Sequence, residues 1–212
     1  IRAGGEDYRD YLLEAEDPRV RNAGTLGELF DKWKKEYPFS GEPFFQWLDF
    51  RSGQSATYGG YSRAELEEEW CDIMDDERRA KAVVIPEIDD DEVVLWYEMA
   101  GLPVEGGDML IVWGLDSKIY VATNGGTQFH QMCFFGGKPV WMSGEIVVGH
   151  HGVLKEVWPD SGHYKPTNWH YRLFYRHLKN ILPGMTIDMI KWVNEYAGKD
   201  PKGWLQFMFE PP

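Results

Sequence analysis

Near residue 82 the spacing of apolar residues changes from about 3.6 to 2, and that change decides what this chain can fold into. Beyond it come seven short runs: "AVVIPEI", "EVVLWYEM", "DMLIVWGL", "SKIYVATN", "TQFHQMCFF", "PVWMSGEIVV" and "GVLKEVW". They are rich in β-branched and aromatic residues and are separated by Asp- and Gly-bearing turns, the pattern of half-buried strands. Seven in succession predict an antiparallel meander, strongly curved or closed into a small barrel. The expected fold class is therefore α+β: a central antiparallel, partly barrel-like sheet over about 81–158, flanked by N-terminal and C-terminal helices.

The flanks read as helices. "EDYRDYLLEAE" repeats apolar residues at Tyr8, Tyr11, Leu12 and Ala15 and is stopped by Pro18. "TLGELFDKWKKEY" offers Thr25 as an N-cap and a stripe of Leu26, Leu29, Phe30 and Trp33. A third helix is expected over "SRAELEEEWCDIMDDERRAKA", capped by Ser62 with Glu65 at the capping-box position. After the strands, "TNWHYRLFYRHLKN" starts behind Pro166 with Thr167 as cap, and "TIDMIKWVNEYAG" runs from Thr186 to a stop at Gly198. This gives an N-terminal helical extension (1–42), an α+β core (43–198) and a tail (199–212).

Charge and composition exclude several classes. The net charge of −13 and the absence of a Lys/Arg cluster argue against nucleic acid and against anionic membrane surfaces. No apolar run approaches the roughly 18 residues of a membrane span, and no signal sequence opens the chain at Ile1, so a soluble protein is expected and its compartment stays open. Ten Trp, eleven Tyr and eleven Phe imply a core of large rings or a cleft lined by them. Trp47, Trp113 and Trp158 are expected in the core, within or beside strands.

Catalytic fingerprints are absent: there is no nucleophile elbow, Walker loop or dinucleotide glycine motif, and no cofactor can be assigned. Cys71 and Cys133, and the histidines His163, His170 and His177, match no zinc spacing, so no metal is expected. His150 and His151 fall on a hairpin tip, where exposure is expected. Cys133 and His163 can meet in space as a thiol–imidazole pair; otherwise Cys133 acts as a small apolar core residue.

The most constrained stretch is "WPDSGHYKPT", 158–167. Pro159 and Asp160 open a turn, Gly162 allows an unusual backbone, and Pro166 fixes the approach to a helix. Ser161, Gly162, His163, Tyr164 and Lys165 are thus the expected ligand-binding set. A structural alternative has His163 bonding strand ends and Tyr164 filling the core. In that case His163→Ala lowers stability by about 1–3 kcal/mol.

"GVLKEVWPDSGHYKPT" resembles the signature segment of the plant IQ-motif-containing calmodulin-binding proteins, whose core also occurs in fungal and bacterial proteins, some toxin-like. "FFQWLDF", "SRAELEEEWCDIMDDERR", "DSKIYVA" and "FHQMCFFGGKPVWMSGEI" follow the same order, and the resemblance spans about 43–190, strongest over 144–167. Two departures qualify it. Where the family carries His-Ser-Ser-Phe, this chain has Gln131, Met132, Cys133 and Phe134, and His130 would face the other side of a strand. No basic IQ helix is present either, so calmodulin is not an expected partner. The resemblance implies a ligand- or protein-binding core, with a secreted effector among its forms. The alternative it implies is a toxin-like transferase acting on a nucleotide-containing substrate such as NAD, with His163, Tyr164 and Glu145 as catalytic candidates and Glu145 as acid/base.

Overall fold

The computed structural model describes residues 13, 16–19, 21, 23–36, 41–51, 53, 71–90, 93–125 and 129–193. Most of the expected first helix, Ser62 with Glu65, and the tail lie outside these residues, although Leu13 and Glu16 are helical.

Helix α1 (Ala23–Glu36) begins two residues ahead of Thr25, which therefore lies inside the first turn and not at the cap. Its expected stripe is real. Leu26 and Leu29 are buried with Phe44, Trp47 and Leu48 of helix α2 (Phe44–Phe50), and Phe30 and Trp33 pack against them. Apolar residues at 44, 47 and 48 carry one helical face, and Pro43, at φ −60°, precedes the first turn.

The third expected helix is much shorter in its described part. Residues 71–75 are irregular, and helix α3 covers only Asp76–Lys81. Asp75 caps it by accepting from the Arg78 N–H at 2.8 Å. Upstream, Cys71 and Met74 are drawn into the core, and the Met74 N–H donates to the Cys133 carbonyl at 2.9 Å. Burial of those two side chains competes with continued helix and wins.

The sheet has seven strands: β1 (Val83–Ile88), β2 (Val94–Glu98), β3 (Gly107–Trp113), β4 (Ile119–Thr123), β5 (Met142–Val148), β6 (Leu154–Trp158) and β7 (Lys191–Trp192). Their order is β2-β1-β4-β3-β5-β6-β7, antiparallel throughout except for the parallel β6/β7 pair. It is thus an α+β fold around a curled sheet, but not a simple meander, because the β1/β2 hairpin docks on β4. The curl brings the β2 edge round to the far side: Leu95 bridges Val153, just ahead of β6. Gly152, at φ +79°, allows this approach, since a Cβ there would lie 2.5 Å from the Trp96 carbonyl oxygen.

Two expected elements differ. The described part of "TQFHQMCFF", 129–135, is no strand; Gln131–Phe134 forms a 3-10 turn in which the Cys133 N–H donates to the His130 carbonyl at 2.9 Å. The expected helix from Thr186 gives way to a 3-10 turn at Ile187–Met189 followed by β7. Here the unpaired edge of β6 prevails over helical periodicity. The Val193 N–H donates to the Val157 carbonyl, and Trp192 packs edge-on against Tyr171 and Tyr175.

Helix α4 (Asn168–Ile181) covers one face of the sheet. Its Tyr171, Phe174 and Leu178 pack against Ile111, Trp113, Met142, Ile146 and Val157. The opposite face carries Val83, Leu110, Val112 and Tyr120, which are covered by Cys71, Met132, Cys133, Phe134 and Tyr164. Trp47 and Trp113 are core residues as expected, though Trp47 is on a helix; Trp158 is only half-buried, its indole donating to Glu156 at 3.0 Å. Among the described residues no helix is long and apolar enough to cross a membrane.

Candidate functional site

The connection from β6 to α4 packs on the second sheet face. Tyr164 is its anchor: the ring is buried with Cys133, Phe134 and Val140, and its hydroxyl donates to the Lys138 carbonyl at 2.9 Å. Burial pushes its phenol well above the ordinary range, so it stays protonated. Ser161 is also buried, and its hydroxyl accepts from the Tyr164 N–H at 3.3 Å. The unusual backbone expected at Gly162 falls instead at Lys165, φ 41°, whose N–H donates to the Ser161 carbonyl. Gln131 ties the connection down from the other side, donating through Nε2 to the Gly144 and Asp160 carbonyls at 3.3 and 3.1 Å.

His163, half-buried, lies flat on His130, with ring centroids 4.0 Å apart and planes 17° apart. His130 in turn meets both thiols. Its Nε2 is 3.2 Å from Cys71 Sγ, its Nδ1 is 4.0 Å from Cys133 Sγ, and its backbone N–H donates to Cys133 Sγ at 3.4 Å. The expected opposition of His130 to its neighbours across a strand does not arise, because in a 3-10 turn residues three apart eclipse and share one side.

The Cys133 thiol is held well below the usual thiol range, down to about 5. The hydrogen bond from Cys71 is the largest influence, burial opposes it, and His130 adds to it through ring and backbone. Cys71 is 3% exposed and Cys133 is 0% exposed. Chemically this is a sealed pair of thiols bridged by an imidazole, with a second imidazole stacked outside it.

Glu145, on β5, pairs in register with Leu110 and with Trp158. Cross-strand partners project from the same face, so Glu145 shares the side on which Leu110, Cys133 and Tyr164 pack. The other histidines are accounted for elsewhere. His170 Nδ1 accepts from the Thr167 N–H at 3.1 Å, which closes the start of α4 where Thr167 was expected to cap. His177 stacks on Trp113 at 4.4 Å, and burial lowers its pKa. His150 and His151 are exposed, as expected of a hairpin tip, and with Pro103–Gly106 they line a depression of about 420 Å³.

Fold and site together define an α+β half-barrel domain with a buried thiol–imidazole cluster on one sheet face. Residues 90–171 match the IQ motif-containing protein middle domain. The chain is 32% identical over 172 residues to IQ domain-containing protein IQM5 of Arabidopsis thaliana, covering 80% of this chain and 33% of that protein. With IQM2 of the same plant it is 31% identical over 178 residues (80% and 28%), and with IQM4 28% over 197 residues (92% and 36%). Its core is therefore like that of the plant IQM proteins, and the chain spans about a third of the length of these curated relatives. No solved structure matches.

Proposed function

We propose that this domain is a recognition module and that the surface at Ser161–Lys165 takes up a protein segment. The observation that carries this reading is the placement of His163: a half-buried imidazole held flat on His130, beside the anchored Tyr164. A ring fixed in this way loses little freedom on binding, which favours affinity. The similar plant proteins carry "IQ domain-containing" in their names, and an IQ motif is a protein-binding helix. This chain has no basic helix of that kind, so its core surface, not an IQ helix, would make the contact, and acidic calmodulin is a poor match for a chain of charge −13.

The transferase role that the resemblance implies gains nothing from Tyr164, whose hydroxyl is committed to Lys138 inside the core. The secreted-effector role gains nothing from the fold, and this reading does not require it.

The test uses a random peptide library and calmodulin with and without calcium. Selected peptides should bind the wild-type protein and lose binding to His163→Ala, which should keep its circular dichroism spectrum. Calmodulin should give no heat in calorimetry at micromolar concentration. Peptides that bind both proteins equally, or calmodulin binding at micromolar affinity or tighter, would overturn the proposal.

A further inference from the structure

Beyond that surface reading, we infer that Cys71, His130 and Cys133 form a zinc site, with three protein ligands and a fourth position left for water or an incoming donor. One donor atom from each residue lies within 4.8 Å of the others. Tetrahedral zinc, with Zn–S near 2.3 Å and Zn–N near 2.0–2.1 Å, sets its donors about 3.5–3.8 Å apart, so closure on an ion asks for shifts on the order of 1 Å. The donor set is two sulfurs and an imidazole, a soft combination that suits Zn²⁺ over Mg²⁺ or Ca²⁺.

The backbone prepares the site in two ways. His130 caps the 3-10 turn and Cys133 is its third residue, and this three-residue spacing brings both side chains to one side as a chelating pair. Cys71 is delivered by a separate segment locked to that turn. The Met74 N–H donates to the Cys133 carbonyl at 2.9 Å, and Arg79 Nη1 donates to the Met74 and Phe134 carbonyls, each at 3.0 Å. Around the donors, the His130 backbone N–H points at Cys133 Sγ, the kind of outer contact that orients a metal-bound thiolate.

Burial separates this reading from its rivals. A thiol 0% exposed offers a substrate no line of attack, which argues against Cys133 as a nucleophile. A purely apolar role does not explain why an imidazole meets two sulfurs in a core otherwise apolar apart from Tyr120 and Tyr164. His130 itself is half-buried, so an incoming fourth donor would approach along its ring, beside the stacked ring of His163.

The test titrates the reduced, chelator-stripped full chain with Zn²⁺ against a chromophoric competitor, and with Co²⁺ read by its absorption spectrum. One equivalent should bind, Co²⁺ should show a thiolate charge-transfer band, and the thermal midpoint should rise with zinc. Cys71→Ser and Cys133→Ser should each lose that band, whereas His150→Gln on the exposed hairpin tip should keep it. Where a serine variant fails to fold, the wild-type protein still decides: at a urea concentration that opens the metal-free chain, zinc should protect both thiols from a disulfide reagent. Absence of stoichiometric binding, equal thiol reactivity with and without zinc, or binding unchanged in the folded serine variants would overturn the inference.

Discussion

Two polar triads among the described residues are built on opposite logic. Arg21, 0% exposed, sits between Asp17 and Asp49, with Nε 2.6 Å and Nη2 2.8 Å from Asp17 and Nη1 2.7 Å and Nη2 3.1 Å from Asp49. Burial alone would lower its pKa, but the bonds to the two carboxylates outweigh this and raise it, so the charge is fixed. The guanidinium fork is filled, and the triad ties the segment ahead of α1 to α2. In the Cys71–His130–Cys133 triad the partners are soft, near one another and not matched as opposite fixed charges. The contrast teaches that a fork filled by opposite charges marks scaffolding, and that soft donors gathered on one another mark capacity for a ligand.

The comparison breaks first, and most visibly, at Arg21. Arg21→Met strands two buried carboxylates and should cost about 3–5 kcal/mol by urea unfolding. Replacing Asp17 and Asp49 by Leu in the same chain should recover much of that loss, because the uncompensated charge goes with them. Cys133→Ser in the metal-free protein should cost about 1–2 kcal/mol, well below the Arg21 effect. Equal losses at the two sites would make both triads scaffolding and erase the distinction.

Smaller effects sharpen it. Tyr164→Phe removes only the hydroxyl that reaches Lys138 and should lower stability by about 1 kcal/mol, read as a shift in the urea midpoint at constant slope. His163→Phe keeps a ring on His130 and should change stability by less than about 0.5 kcal/mol, whereas His163→Ala should cost about 1 kcal/mol. A larger loss for the phenylalanine variant would show that an imidazole hydrogen bond, and not ring stacking, holds the loop.

Proton uptake supplies the mildest case. His177 is buried against Trp113, its Nε2 has no hydrogen-bond partner among the described residues, and its pKa lies below the ordinary 6.5. The unfolded chain then binds the proton more readily than the folded one, so stability should fall as pH drops through and below 6.5. The difference between urea midpoints at pH 7 and pH 5 should shrink in His177→Leu. An unchanged difference would show that His177 takes no part in it.

The sequence was legible wherever one local pattern had no competitor. The stripe of α1, the Thr167 start of α4, the hairpin with His150 and His151 at its tip, and six of the strands follow from periodicity and turn chemistry. It misled where a distant contact outbid the local pattern: Met74 and Cys71 pulled out of a helix, Trp192 pulled onto β6, and Gln131 turned aside to clip Gly144 and Asp160. The thiol–imidazole cluster was hidden for the same reason. Cys71 and His130 stand 59 residues apart, and reading 127–135 as a strand set His130 and its neighbours on opposite faces. The one available signal was the three-residue interval between His130 and Cys133. For Arg21 the four-residue interval to Asp17 was the one local signal, and Asp49, 28 residues away, gave none.

Strand β7 also bears on how the molecule comes to be assembled. Lys191 reaches Glu156 across 35 residues of chain, and the strand joins in parallel, so β6 is made long before its neighbour exists. Until then its outer rim is a bare template, open to any extended peptide that drifts past. Emergence from the ribosome thus leaves a window in which α4 must fold over one side while that rim waits. A cell making this chain quickly, or a gene cut short before Lys191, would meet the hazard as sticking between nascent copies, a cost of biogenesis that no property of the finished fold reveals.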